Sequence, residues 1–135
     1  MDFYQERITT IHDFCIEAED MIERLHKLSV VRPAVIIIPM LYEEIENEPL
    51  PNIINDLNEC QCIRKVIIAL AADNSSQYEH VLTFFNRLKL PHLVVWCNGP
   101  RIEAILNELK EEKYLDVTSF RGKGKDVWIA IGIAS

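Results

Sequence analysis

Val35-Ile36-Ile37-Ile38-Pro39-Met40-Leu41-Tyr42-Glu43-Glu44 is the stretch on which the reading of this chain turns. Its start is an unbroken apolar run with no polar alternation. Such a run reads as a strand buried on both faces, the habit of parallel sheets. The strand is expected to stop at the proline, and two carboxylates follow. In an open α/β sheet, ligands sit just beyond the carboxyl ends of the strands. Glu43 and Glu44 therefore stand where a ligand hydroxyl can be held. The alternative is a solvated acidic loop leading into a helix.

Upstream, residues 3–28 read as one long amphipathic helix. Tyr4, Ile11, Ala18 and Leu25 are spaced by sevens, and Ile8, Cys15, Met21 and Ile22 fill the stripe between them. Charged residues such as Glu6, Arg7, Glu17, Glu19, Glu23 and Arg24 lie opposite. The seam is expected to pack on the protein's own body, with a coiled coil as the alternative. Arg32-Pro33 ends it, because a residue before proline leaves the helical region.

Downstream, strand and helix alternate. The first strand is expected over about Ala34–Ile38, and a helix follows from Pro51 with Ile53, Ile54 and Leu57 on one face. The second strand is Val66–Leu70. Asp73-Asn74-Ser75-Ser76 caps the next helix, which buries Val81, Leu82, Phe85 and Leu88. The third strand is Leu93–Trp96. Asn98-Gly99-Pro100 turns into a helix with Ile102, Ile105, Leu106 and Leu109 inward. Apolar strands alternating with amphipathic helices predict a parallel sheet with right-handed crossovers. Arg121–Asp126 reads as a flexible basic loop. Val127–Ala134 reads as a helix apolar on nearly every side, of the kind normally buried all round. With Ser135 the sequence given ends, and the expectation is a domain cut short before its next strand.

Composition narrows the function classes. The chain has 135 residues, 49% of them hydrophobic, and a net charge of −7. It is one globular domain's worth of chain with a real core. Nucleic acid and anionic membranes both need a basic field, so neither is an expected partner. No apolar run reaches membrane-spanning length, and Met1-Asp2-Phe3-Tyr4-Gln5-Glu6 is not a signal peptide, so the expected compartment is the cytoplasm. Cys15, Cys60, Cys62 and Cys97 lie in or beside apolar segments, as reduced cysteines do. No Cys or His pairs sit at zinc spacing. Cys97 follows a buried strand and is expected to be structural, with a reactive thiol as the alternative.

No catalytic constellation is complete: GxSxG, HExxH and the Walker loop are all missing. His12, His26, His80 and His92 are isolated surface or packing residues. What converges is a set of loops. Pro39–Glu44, Ala71–Ser76 and Asn98–Arg101 should line one sheet edge, and the Arg121–Lys125 loop can fold back over it. Carboxylates for ribose hydroxyls, with cations and glycine backbone for phosphates, suit a nucleotide.

Pro39-Met40-Leu41-Tyr42-Glu43-Glu44 resembles the first-strand signature of family 2-type GT-A glycosyltransferases. Asn98-Gly99-Pro100-Arg101 and Gly122-Lys123-Gly124-x-x-x-Trp128 are similar to the branch containing glucosyl-3-phosphoglycerate and mannosyl-3-phosphoglycerate synthases. The likeness runs from about Pro33 to Ser135. It implies a three-layer Rossmann-like fold, with a nucleotide-sugar-binding domain over residues 33–135 that follows the leading amphipathic helix assigned to 1–32. It also implies a UDP- or GDP-linked sugar as partner, with transfer that retains configuration. Glu43 would hold the ribose, Pro39 the nucleoside and Lys123 the base or pyrophosphate. Asp73 and Arg101 complete the expected nucleotide-binding set. A departure is Ala71-Ala72, where many such enzymes carry aspartate directly after the second strand. The metal-binding Asp-x-Asp of these enzymes follows the next strand and is not in this sequence. Magnesium or manganese is therefore expected in the complete enzyme but not on this chain, which by itself should be inactive. A second hypothesis is a non-catalytic α/β binding or interaction module. For the chain cut short, a homo-oligomer through the leading or the terminal helix is expected.

Overall fold

The computed structural model describes residues 18–135. Helix α1 (Ala18–Val31) leads into strand β1 (Ala34–Leu41), a 3-10 turn over Tyr42–Glu46 and helix α2 (Pro49–Glu59). Strand β2 (Ile63–Ala71), helix α3 (Ser75–Phe85), strand β3 (His92–Trp96), helix α4 (Pro100–Lys113) and helix α5 (Lys123–Ala134) follow. The strands form one parallel sheet in the order β1-β2-β3.

Strand β2 explains the apolar runs. Val66, Ile68 and Leu70 enter a core with Ile54, Leu57, Val81 and Phe85, beneath α2 and α3. Ile67 and Ala69 point the other way, into a core with Val95, Leu106, Ile129 and Ala130, beneath α4 and α5. Both faces are covered, so every residue of the strand centre is apolar. The α/β, three-layer, parallel expectation is borne out.

Several boundaries and faces differ from expectation. Strand β1 does not stop at Pro39; pairing runs on through Pro39 opposite Ala69 to Leu41 opposite Ala71. Only alternate residues of a strand turn their N–H to a given neighbour, and among the described residues β1 pairs with β2 alone. A proline whose nitrogen faces the open side breaks no ladder bond. Helix α2 starts at Pro49 rather than Pro51, and its buried face is Leu50, Ile54 and Leu57, with Ile53 exposed. Leu82 and Ile105 were expected inside and lie exposed, each next to a neighbour in the helix (Val81, Leu106) that takes the core position.

The leading helix is the larger correction. Its expected start, with Tyr4, Ile8, Ile11 and Cys15, lies outside the described residues. Within them the helix runs to Val31, but Met21, Ile22, Leu25 and Leu28 are all exposed, so this part of the seam does not pack on the body. The basic segment is also corrected: Lys123–Asp126 is the first turn of α5, not a loop. Gly122 precedes it at φ 103°, a left-handed conformation in which glycine has no Cβ to strain. Nor is α5 buried all round. Ile129 and Ala130 face the sheet, while Trp128, Ile131 and Ile133 remain exposed. Among the described residues, no helix is long and apolar enough to cross a membrane.

Candidate functional site

The carboxyl end of β1 runs into the 3-10 turn, where Glu44 reaches back. Its Oε2 accepts a hydrogen bond from the Leu41 amide at 2.7 Å. Its Oε1 accepts one from Lys123 Nζ at 3.1 Å. The Leu41 amide first, then the Lys123 ammonium, hold the Glu44 carboxyl below its ordinary value of 4.5. Pro39 and Glu44 share the wall of a cavity of about 220 Å³ with Met40, Asn47 and Leu50. Glu43, one residue earlier, is exposed and has no hydrogen-bond partner among the described residues. Tyr42 ties the turn to α3 through a 2.9 Å hydrogen bond between its hydroxyl and His80 Nδ1.

The ends of β2 and β3 are latched together. Asn98 Nδ2 donates to the Ala72 carbonyl at 2.9 Å, and Asn98 Oδ1 accepts from the Ala72 amide at 3.0 Å. Trp96 Nε1 donates to the same carbonyl at 2.9 Å. The Ala71-Ala72 pair is therefore used through its backbone. Asn74 caps α3 as expected, accepting from the Gln77 amide at 3.0 Å, and Gln77 Oε1 accepts in return from the Asp73 amide at 2.7 Å. These bonds leave the Asp73 carboxylate exposed beside the latch.

Arg101 stands on the first turn of α4 and lines a separate cavity of about 470 Å³ with Tyr78, Trp96 and Gly99. Gly99 is required there. A Cβ on it would lie 2.6 Å from Cδ2 of Trp96, whose indole stacks on Tyr78 with centroids 5.5 Å apart. Of the expected site residues, the structure brings Pro39 and Lys123 together around Glu44. Glu43 borders this group. Among the described residues, no hydrogen bond or ion pair joins Asp73 or Arg101 to it.

One residue takes another role than expected and one was missed from sequence. Glu44, singled out with Glu43 for a ligand hydroxyl, is instead the partner of Lys123 and of the Leu41 amide, and the signal was its position three residues after Leu41, the spacing of a carboxylate that caps its own turn. Asp126 is only 8% exposed, in the first turn of α5. Burial pushes its carboxyl up, against the pull of Lys125. Its spacing from Ile129 and Ala130 puts all three on the inner face of the helix, which the helical period could have found. Close by, Cys97 is buried, and its thiol is pushed up to about 12, by burial first and then by the Asp126 charge. It is an inert structural thiol, as its setting in the sequence predicts.

Among the described residues, no three His, Cys, Asp or Glu side chains gather as a metal site. Glu44, the carboxylate best placed at the sheet edge, is committed to Leu41 and Lys123. This donor set does not fit a divalent cation.

The chain is 61% identical over all 135 of its residues to a curated glucosyl-3-phosphoglycerate synthase of Methanococcoides burtonii. It is 29% identical over 133 residues to a curated protein of the same name from Persephonella marina. It spans about a third of each relative, 33% and 32% of their lengths. No family model and no solved structure matches it. The resemblance carried by Pro39–Glu44, Asn98–Arg101 and Gly122–Trp128 is thus borne out: the chain is a homologue of glucosyl-3-phosphoglycerate synthases over the third of their length that it spans.

Proposed function

We propose that residues 33–135 are the nucleotide-sugar-binding portion of a glycosyltransferase that makes glucosyl-3-phosphoglycerate, the product named by its relatives. The observation that carries this reading is the meeting of Lys123 with Glu44 beside Pro39. Residues of the first and last matching motifs come together at the carboxyl end of a parallel strand, where α/β sheets hold ligands. Glu44 fixes the turn and steers Lys123. Glu43 is left free to accept hydrogen bonds from ribose hydroxyls, and Lys123 faces the base or pyrophosphate. Asp73 and Arg101 border the same sheet end from the β2 and β3 turns. The donor is a UDP- or GDP-linked sugar, the transfer retains configuration, and the compartment is the cytoplasm. The divalent cation of the complete enzyme is assigned to parts of the relatives that this chain does not span.

Titration calorimetry with UDP-glucose and GDP-glucose tests the reading. Weak binding that persists in chelator is expected, because the sheet-end residues bind without a cation. No binding of either, or binding only with magnesium or manganese present, would contradict it.

A second reading has its own observation. Ile105, Trp128, Ile131 and Ile133 are exposed on adjoining parts of α4 and α5, where α5 lines a cavity of about 400 Å³. Exposed apolar surface of this extent favours an interaction module.

A further inference from the structure

The basic segment near the start of α5 does not act as one cluster. Lys123 turns toward β1 and pairs with Glu44. Arg121 and Lys125 instead line a cavity of about 370 Å³ at the joint of α4 and α5, with Val117, Phe120, Gly124 and Trp128. No carboxylate lines this cavity, although the whole chain carries a net charge of −7. Among the described residues, neither Arg121 nor Lys125 has an ion-pair partner. Glu103 shares a neighbouring depression with Lys125 but forms no ion pair with it. Unpaired cations around a concavity attract an anion.

Two further features point to the same ligand. Phe120 and Trp128 line the cavity beside the cations and are both exposed, so aromatic surface is accessible there. The start of α5 has no side-chain cap, because Gly122 supplies none. Its first amides and the helix dipole favour negative charge. Gly124 is part of the lining, and nothing lies within 4 Å of the Cβ it lacks, so its backbone can be approached closely. The wall is braced as well: Asp116 accepts from the Thr118 amide at 3.0 Å and pairs with Lys110 at 3.1 Å.

We infer that this cavity is a second anion site, which takes a small phosphate ester carrying a ring. The phosphate lies between Arg121, Lys125 and the first turn of α5, and the ring lies on Trp128. The inference does not rest on the nucleotide reading, because Lys123, Glu43 and Pro39 take no part in it.

The test is a titration of the 15N-labelled full chain, following the Trp128 indole N–H resonance. Its loss in Trp128→Phe assigns it apart from Trp96. Phenyl phosphate, glucose 6-phosphate, inorganic phosphate and benzyl alcohol are the probes. Both esters should shift the resonance and bind more tightly than inorganic phosphate, and the tighter ester tells a planar ring from a saturated one. Removing both cations in Arg121→Ala/Lys125→Ala should weaken binding about tenfold or more, since charge-assisted bonds dominate such contacts. Because Arg121 is exposed, Lys125 only half-buried, and neither makes an ion pair among the described residues, the rest of that variant's spectrum should be largely unchanged. Glu43→Gln should leave ester binding intact, so failure of the nucleotide reading would not touch this one. Benzyl alcohol matching phenyl phosphate, an unchanged affinity in the double variant, or a Trp128 resonance that does not move would each overturn the inference.

Discussion

Lys123 Nζ and Glu44 Oε1 lie 3.1 Å apart across 79 residues of sequence, joining the end of the first strand to the start of the last helix. Both side chains are about half exposed, so water screens the pair and its own contribution stays below about 1 kcal/mol. Glu44 also holds the Leu41 amide, which ties the turn to the strand. The pair therefore sets where Lys123 points more than how stable the chain is.

Glu44→Gln should lower stability slightly at neutral pH and not at all in acid. A carboxylate whose pKa is depressed on folding contributes stability above its unfolded value. That contribution is lost as pH falls through the folded value. Since Glu44 is held below 4.5, the difference between wild type and variant should close below about that pH. Urea unfolding at neutral pH and well below 4 would read it. A gap of equal size at both would assign the loss to packing.

Glu43→Gln should do the reverse. Among the described residues Glu43 has no hydrogen-bond or ion-pair partner, so its substitution should leave the urea midpoint unchanged. A charge-assisted hydrogen bond to a ribose hydroxyl is worth about 1.5–3 kcal/mol, and the amide should lose part of that. Calorimetry with UDP- or GDP-glucose should therefore show weaker binding for Glu43→Gln. A stability loss without a binding loss would return Glu43 to a structural role.

Gly99→Ala should destabilise by about 1–3 kcal/mol, the usual cost of overpacking. The new methyl would meet the Trp96 indole, which cannot yield, because it is stacked on Tyr78 and bonded to the Ala72 carbonyl. Gly132→Ala is the control. It lies inside α5 with nothing within 4 Å of the added Cβ, and should stabilise by about 0.5–1 kcal/mol. Thermal melts of both variants would check the contrast.

The parts of the fold that were legible in sequence are those where one physical signal dominates. The runs Val35–Ile38 and Val66–Leu70 are apolar throughout because helices cover both faces of the sheet, and their shortness and β-branched content favour a strand over a buried helix. Asn74 was legible as a cap because its side chain does that work locally. Pro39 misled, since proline ends a central strand but not one whose nitrogen faces an open edge. Gly122-Lys123-Gly124 misled in the same way: two glycines argue for a loop, yet only Gly122 takes the left-handed conformation and Gly124 is already helical. Ile53, Leu82 and Ile105 each sit one residue from a buried apolar neighbour, and a period of 3.6 does not decide which of two adjacent residues faces in. At the site, Glu43 and Glu44 are indistinguishable by residue type. Their difference lies in a tertiary contact with residue 123, which local pattern cannot carry.

Cys97 should resist alkylation in the native state, while Cys60 and Cys62, both half-buried, react. The Cys97 thiol is buried and raised to about 12, so almost no thiolate forms at neutral pH. Because its folded value lies above the unfolded one, stability should fall as pH rises from about 9 toward 12. Mass spectrometry after iodoacetamide treatment, with and without denaturant, would locate the labels. Native labelling at Cys97 would mean that α5 opens from the sheet.

The chain should self-associate in solution through the outer faces of α4 and α5. Trp128 is 45% exposed, Ile131 54% and Ile105 52%, and Ile133 adjoins them. Each large apolar side chain left in water forgoes up to about 1.5–3 kcal/mol of burial. Among the described residues, β1 has no neighbour on its outer side, and an open strand edge is itself a template for pairing. The exposed seam of Met21, Ile22 and Leu25 on α1 offers a further contact. Light scattering across a dilution series should show a mass that rises with concentration. Ile131→Lys places a charge at the most exposed of the large apolar α5 side chains and should return the monomer without unfolding it, because Ile131 holds no core position. A wild type that stays monomeric at high concentration would remove this face as an interface between copies of the chain.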